Sequence, residues 1–87
     1  MYHIEFSGQA KKQFKKLDKH TQQMIGKYID KNLESVDNPR KYGKALAGTL
    51  RGLWRYEVGK YRLICEIKDG VLQILVLKIG HRREVYR

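Results

Sequence analysis

The sequence predicts an α+β fold in which two N-terminal helices cover one face of a small antiparallel sheet of about four strands. Two apolar stripes with helical spacing occupy the first half of the chain. Over residues 50–67, aromatic and β-branched residues alternate with charged ones, and a further apolar run, VLQILVLKI, follows. The predicted order is β-α-α-β-β-β, in a single domain spanning residues 1–87.

The first half is predicted to contain one strand and two helices. Residues 2–6 alternate between apolar and polar side chains, which indicates a strand with one buried face. Ser7 is the predicted N-cap of the first helix and Asp18 that of the second. The second apolar stripe continues to Val36, and Pro39 ends the helix because the residue before a proline disfavours helical backbone. The basic stretch that follows, residues 38–49, is predicted to be a loop.

The second half is predicted to begin with a β-hairpin whose tight turn is Gly59-Lys60. Pairing Val58 with Tyr61 places one set of side chains on the face that the helices cover. That set is Trp54, Tyr56, Val58, Tyr61, Leu63, Cys65 and Ile67. The opposite face carries Arg55, Glu57, Arg62, Ile64 and Glu66.

A second two-residue turn is predicted at Asp69-Gly70, since Asp-Gly is a strong hairpin signal. Its register places Leu77 opposite Arg62, so that the strand end bearing His81 emerges beside the charged face.

The charge balance favours a polyanionic partner. Nineteen lysines and arginines against nine acidic residues give a formal net charge of +10, which suits nucleic acid or an acidic protein. Six of the seven arginines lie in the last 38 residues, where we expect any chemistry. A lone cysteine, the lack of a signal peptide and the lack of a membrane-length apolar run predict a cytoplasmic protein with no membrane partner. The sequence shows no metal-ligand cluster and no phosphate loop, so we expect neither a metal nor another cofactor.

Two segments, LAGTLRGLWRYEVGKYRLICEI and LKIGHRREVYR, resemble the RelE-like branch of the RelE/ParE toxin superfamily, and the similarity covers nearly the whole chain. The resemblance implies the RelE-like microbial RNase fold. It also implies the toxin of a type II toxin–antitoxin system, a ribosome-dependent endoribonuclease that cuts messenger RNA in the A site by metal-free 2′-hydroxyl attack. The implied partners are a cognate antitoxin, expected to be acidic, together with the ribosome and messenger RNA.

The resemblance assigns roles to individual residues. Arg62 matches a phosphate-binding arginine on the middle strand, Arg82 matches an arginine near the scissile phosphate, and Tyr86 matches a tyrosine that packs against the nucleotide. Glu57 departs from the family pattern, because relatives carry a lysine there. It is predicted either to act as the base or only to orient Arg62.

Residue chemistry supplies the remaining candidates. His81 is a candidate acid or base, since imidazole titrates nearest neutrality. Arg83 and Lys60 are predicted to bind substrate through phosphate contacts. Arg55 is assigned the same role by the resemblance, because it matches a basic family position on the strand before that of Arg62. Without a function, Arg62 would simply form a surface ion pair with Glu57, worth about 0.2 to 1 kcal/mol. The nuclease interpretation fails, however close the family resemblance, if Arg62 lies beneath the helices or His81 lies on the far side of the sheet.

Two other functions fit the same scaffold. One is a ParE-like toxin that binds DNA gyrase and cuts no RNA, and the other is a non-catalytic RNA- or protein-binding domain.

Overall fold

The computed structural model describes residues 1–34 and 36–83, which form two α-helices and five strands. In chain order the elements are β1 (His3–Phe6), α1 (Gly8–Lys15), α2 (Lys19–Ile29), β2 (Lys44–Ala45), β3 (Trp54–Val58), β4 (Tyr61–Lys68) and β5 (Gln73–His81). None of the helices formed by these residues is long and apolar enough to cross a membrane. The predicted α+β class is confirmed.

The strands form one mixed sheet in the order β1-β5-β4-β3-β2. β1 runs parallel to β5, while the other neighbours are antiparallel. The prediction of about four antiparallel strands therefore needs two corrections. The chain crosses over through both helices, so that the first strand lies beside the last. β2 forms inside the segment predicted to be a loop, because a strand of two residues is too short to produce a recognisable alternation.

Both helices pack on the predicted face of the sheet. Ser7 Oγ accepts a hydrogen bond from the Ala10 N–H at 3.0 Å, and Asp18 Oδ2 accepts one from the Thr21 N–H at 3.1 Å, so both predicted N-caps are confirmed. The buried core joins helical side chains to those of β3, β4 and β5. Its members are Ala10, Ile25, Ile29, Leu33, Tyr56, Val58, Leu63, Cys65, Ile74, Val76 and Ile79.

α2 ends earlier than predicted. Regular α-helix stops at Ile29, and a π-helical turn over Asp30–Glu34 follows it. This turn keeps Leu33 fully buried on the core side. Pro39 then begins a 3-10 turn, Pro39–Lys41, which leads toward β2.

α1 is fastened to β5 where β1 ends. β1 pairs with β5 only as far as Val76. Beyond that point Ser7 Oγ donates to the Leu77 carbonyl at 2.8 Å, and Gln13 Oε1 accepts from the Ile79 N–H at 2.7 Å. These two side chains satisfy backbone groups that an edge of the sheet would otherwise expose.

The register of the first hairpin is as predicted, but that of the second is not. Val58 pairs with Tyr61 and Glu57 with Arg62. On the other side of β4, Arg62 is opposite Gly80, not Leu77.

Two local features cause the shift. A 3-10 turn over Asp69–Val71, followed by Leu72 at φ 51°, makes a four-residue loop in place of a two-residue turn. A β-bulge then leaves Leu77 outside the pairing, between Cys65 opposite Val76 and Ile64 opposite Lys78. One extra residue exchanges the two faces of the strand that follows it.

A cluster of polar side chains joins the residue before β1, the segment before β2 and the β4–β5 loop. Arg40 donates to both oxygens of Asp69, at 3.0 and 2.9 Å, and the Tyr2 hydroxyl donates to Asp69 Oδ1 at 2.6 Å. The Tyr56 hydroxyl donates to the Pro39 carbonyl nearby. The Arg40 guanidinium and the Tyr2 hydroxyl together lower the pKa of Asp69 to about 2.

Asp69→Asn is expected to destabilise the protein at neutral pH but not at pH 2. The unfolded carboxyl has a pKa of about 3.9. Because folding lowers that pKa, the stabilising contribution is complete above pH ~4 and is lost as pH falls toward 2. Melting temperatures of wild type and variant, measured from pH 7 to pH 2, should therefore converge at the acid end. A constant difference across this range would show that Asp69 contributes through something other than its charge.

Candidate active site

The face of the sheet opposite the helices, here called the open face, carries charged side chains of β3 and β4. Glu57 is directly opposite Arg62 across the hairpin, and Arg55 precedes Glu57 by two residues. Alternate residues of a strand point the same way, so the three side chains project together on the open face. The prediction that Arg62 does not lie beneath the helices is confirmed.

A single carboxylate oxygen holds the two guanidinium groups together. Glu57 Oε1 accepts a hydrogen bond from Arg62 Nη2 at 3.0 Å and lies 3.6 Å from Arg55 Nη2. The side chains of Arg55 and Arg62 are only 20% and 18% exposed, whereas that of Glu57 is 49% exposed. Because most of each arginine side chain is covered, the two cations are held at a spacing that suits one anionic oxygen. We call these three residues the anion cluster.

Further cations border the anion cluster. Lys44 of β2 is directly opposite Arg55, and Lys60 is exposed at the hairpin turn. The Arg82 N–H donates to the Lys60 carbonyl at 2.9 Å, which keeps Arg82 beside the same turn. The structure thus brings Arg55, Glu57 and Arg62 into contact and places two more of the predicted cations, Lys60 and Arg82, at the hairpin end.

His81 does not join the anion cluster, and the prediction that it emerges beside Arg62 is wrong. The nuclease interpretation that required His81 and the two arginines in one site therefore fails in that form. It is paired with Tyr61, on the face that the helices cover, and the two rings pack edge to face with centroids 5.7 Å apart. The bulge at Leu77 is the cause, because without the extra residue His81 would share a face with Arg62.

The last predicted residues follow His81. The backbone N–H of Arg83 donates to His81 Nδ1 at 3.3 Å, and the Arg83 side chain is exposed. Tyr86 lies outside the described residues.

Residues 4–86 match the family described as the ParE toxin of type II toxin–antitoxin systems, parDE. The chain belongs to this toxin family. The predicted membership of the RelE/ParE superfamily is confirmed by this match and by the relatives below.

Individual relatives of this toxin carry RelE-type names. It is 27% identical over 86 residues to Toxin RelG of Mycobacterium tuberculosis, covering 99% of this chain and 97% of that protein. The toxin–antitoxin complex RelBE2 of Mycobacterium tuberculosis contains a chain that superposes with a TM-score of 0.83 at 26% identity, over 93% of this toxin and 98% of that chain. The isolated RelE toxin of E. coli superposes with a TM-score of 0.74 at 23% identity, over 99% and 92% of the two chains, and supports the fold.

Sequence reasoning missed a group of side chains that lies next to the anion cluster. Tyr28, Tyr42 and Lys44 line a pocket together with Arg55 and Glu57. Tyr28 was indistinguishable from the other apolar positions of α2, and the basic segment 38–49 was interpreted as a loop. The signal was the local sequence KYGK, in which a tyrosine and a glycine stand between two lysines.

The residues that the structure describes provide neither a metal-binding cluster nor a cysteine suited to nucleophilic attack. Across residues 1–34 and 36–83, no group of three or more His, Cys, Asp or Glu side chains is arranged to hold a metal ion. Cys65 is fully buried, and burial raises the pKa of its thiol, which makes it unsuitable as a nucleophile.

Proposed function

We propose that this toxin is an endoribonuclease that cuts messenger RNA in the ribosomal A site, as its RelE-like sequence implies. The convergence of Arg55 and Arg62 on one anionic oxygen carries the proposal. When RNA binds, a nonbridging phosphate oxygen takes the place of the Glu57 carboxylate oxygen between the two guanidinium groups. The planar guanidinium fork matches phosphate geometry, which a lysine does not.

The reaction is an attack by the RNA on itself. The 2′-hydroxyl gives up its proton to solvent water as its oxygen bonds to the adjacent phosphorus. The bond from phosphorus to the 5′-oxygen breaks, and that oxygen takes up a proton from solvent. The products are a 2′,3′-cyclic phosphate and a free 5′-hydroxyl end. Negative charge grows on the phosphate oxygens in the transition state. Cations fixed in advance around that charge are usually the largest contribution to catalysis.

Each candidate residue receives a role on this basis. Arg62 stabilises the charge on the phosphate, and Arg82 acts from the hairpin end near the departing oxygen. Arg55, Lys60 and Arg83 bind the phosphates of the strand. Tyr86 is assigned stacking against a nucleotide by the resemblance alone. Because His81 lies on the other face, it has no part in the proposed reaction, and the proposal is the narrower one in which the anion cluster acts without His81.

Glu57 is assigned a positioning role. Its oxygen already holds Arg62 Nη2 at 3.0 Å, so it sets the place of the guanidinium before RNA arrives. The alternative, that Glu57 removes the 2′-hydroxyl proton, requires the carboxylate itself. The two roles therefore differ in what a glutamine at this position would do.

The proposed inhibitor is an acidic antitoxin. With a net charge of +10, the toxin attracts acidic chains, and covering the open face would neutralise the anion cluster. The RelBE2 complex and the E. coli RelBE structure, which supports the fold, are both toxin–antitoxin complexes. A toxin acting on ribosomes belongs in the cytoplasm.

Gyrase inhibition is the second candidate, because the matched family is named for ParE. A ParE-like toxin would bind DNA gyrase and leave messenger RNA intact. The two functions have different readouts in a purified system.

The test is to map RNA ends in a translating extract. We expect new 5′-hydroxyl ends within codons when the toxin is present, and none on the same message when its start codon is removed. A plasmid-supercoiling assay with gyrase, at the same toxin concentration, should show no inhibition. Inhibited supercoiling with intact messenger RNA would establish the ParE-like function instead, and no effect in either assay would leave only a binding role.

A further inference from the structure

A pocket of about 290 Å³ opens beside the anion cluster, between α2, the segment before β2 and the edge of β3. Its lining combines two aromatic rings with three charged side chains. The lining residues are Tyr28, Tyr42, Gly43, Lys44, Arg55 and Glu57. This volume lies just below the range for small-ligand pockets, which is about 300 to 1,000 Å³, and suits part of a larger ligand.

The pocket wall is fixed by the backbone around Gly43. A Cβ atom on Gly43 would lie 2.2 Å from the Arg55 carbonyl oxygen, so the chain approaches β3 as closely as a glycine allows. Trp54 Nε1 donates to the Tyr42 carbonyl at 2.7 Å and anchors the same segment. The tyrosine and lysine on either side of Gly43 are therefore presented from a rigid support.

The rings at this pocket are placed to contact a ligand. Tyr42 is 38% exposed although its ring is large, and Lys41 Nζ lies over one face of that ring, 5.8 Å from its centroid. Tyr28 is half-buried, with its ring 6.1 Å from that of Tyr56. One ring is thus available for stacking while the other is held by the core.

The pocket and the anion cluster share two residues. Arg55 and Glu57 line the pocket and also take part in the charge cluster with Arg62. Lys44 is directly opposite Arg55 in the sheet, where facing Cβ atoms lie about 4.5 to 5.5 Å apart. One ligand could therefore occupy the pocket and also place an anionic group between the two arginines.

We infer that this pocket receives one base of the single-stranded RNA whose phosphate occupies the anion cluster, with the base stacked on Tyr42 and the next phosphate bound by Lys44. The inference rests on the proposed ribonuclease function and adds a base-binding subsite to it. Stacking on an aromatic side chain tolerates every base, because each base has a π face. Tyr42 accordingly sets where along the strand the cut falls more than which base is cut.

The test uses ribosomes programmed with a message in which each A-site nucleotide in turn is replaced by an abasic one. Single-turnover cleavage is measured over a range of toxin concentrations. Tyr42→Ala should raise the half-saturating concentration at least about fivefold, the low end of what one stacked base contributes. Removing the base at one position should raise the half-saturating concentration of the wild type by a similar factor. The same removal should leave the half-saturating concentration of Tyr42→Ala unchanged. Tyr42→Phe keeps the ring and should behave like the wild type.

Lys44→Ala provides a contrast, because loss of a phosphate contact should weaken cleavage of intact and abasic messages equally. Val71→Ala, at an exposed position of the β4–β5 loop, is the control and should change neither measurement. Suppose that the wild type cuts the message and that Tyr42→Ala raises the half-saturating concentration by the same factor on every abasic message as on the intact one. The base-binding subsite is then refuted, while the ribonuclease function stands. If the wild type does not cut at all, the proposed function fails and the subsite fails with it.

Discussion

Arg62→Ala is expected to slow messenger RNA cleavage about 10²- to 10³-fold, the cost of removing one preorganised donor from a developing negative charge. Arg62 is the arginine that already makes a 3.0 Å hydrogen bond to an anionic oxygen, and its side chain is only 18% exposed. Arg62→Lys retains the charge but loses the planar fork, so it should recover only part of the rate. Single-turnover cleavage on programmed ribosomes measures the effect on the chemical step, and thermal melting shows whether the variants remain folded.

Glu57→Gln belongs in the same experiment, because it separates the two roles of Glu57. Glutamine retains an oxygen that can accept from Arg62 but cannot take a proton at neutral pH. A positioning role predicts a loss of a few fold at most and an unchanged pH profile. A general base predicts a loss of about 10²- to 10⁴-fold together with loss of the acidic limb of the profile.

His81→Ala tests whether a residue on the helix-covered face of the sheet contributes to cleavage. Because His81 packs against Tyr61 and not against the anion cluster, its loss should affect cleavage far less than Arg62→Ala does. If His81→Ala and Arg62→Ala slow cleavage equally, His81 does take part in the reaction. An unimpaired Arg62→Ala variant that is folded would remove the anion cluster from the mechanism altogether.

The first hairpin was predictable because its register depends on one turn. A two-residue connection at Gly59-Lys60 leaves a single way to pair the strands, and the alternation of charged and apolar residues fixes which face is buried. Arg55, Glu57 and Arg62 followed from that pairing alone. The sequence therefore predicted the charged center of the candidate site correctly, together with the face on which it lies.

The position of His81 was not predictable in the same way. Replacing the two-residue turn by a four-residue loop moves the pairing by two residues and leaves each side chain on its predicted face. The bulge at Leu77 adds one more residue, and a shift of one exchanges the faces. Nothing in an apolar run such as VLQILVLKI marks where an extra residue is accommodated, because both of its faces are apolar.

Gly43→Ala is expected to lower the free energy of unfolding by about 2 to 5 kcal/mol, from the positive φ and the steric conflict together, and to impair cleavage as well. Gly43 has φ +78°, where a side chain costs about 1 to 2 kcal/mol, and its added Cβ would lie 2.2 Å from a backbone oxygen of β3. The segment must therefore move away from β3. Such a movement carries Tyr42 and Lys44 away from Arg55.

Gly48→Ala is the matched control, since Gly48 has a similar φ of +65° but no atom within 4 Å of an added Cβ. Denaturant unfolding of both variants separates the backbone cost, which they share, from the steric conflict, which only Gly43→Ala creates. Trp54 is the single tryptophan and donates to the Tyr42 carbonyl, so its native-state emission should change in Gly43→Ala alone. Equal losses of stability and unchanged Trp54 emission would show that β3 does not hold this segment rigidly. Because the rigid wall of the base pocket depends on that contact, the same result would also weaken the case for Tyr42 as a stacking platform.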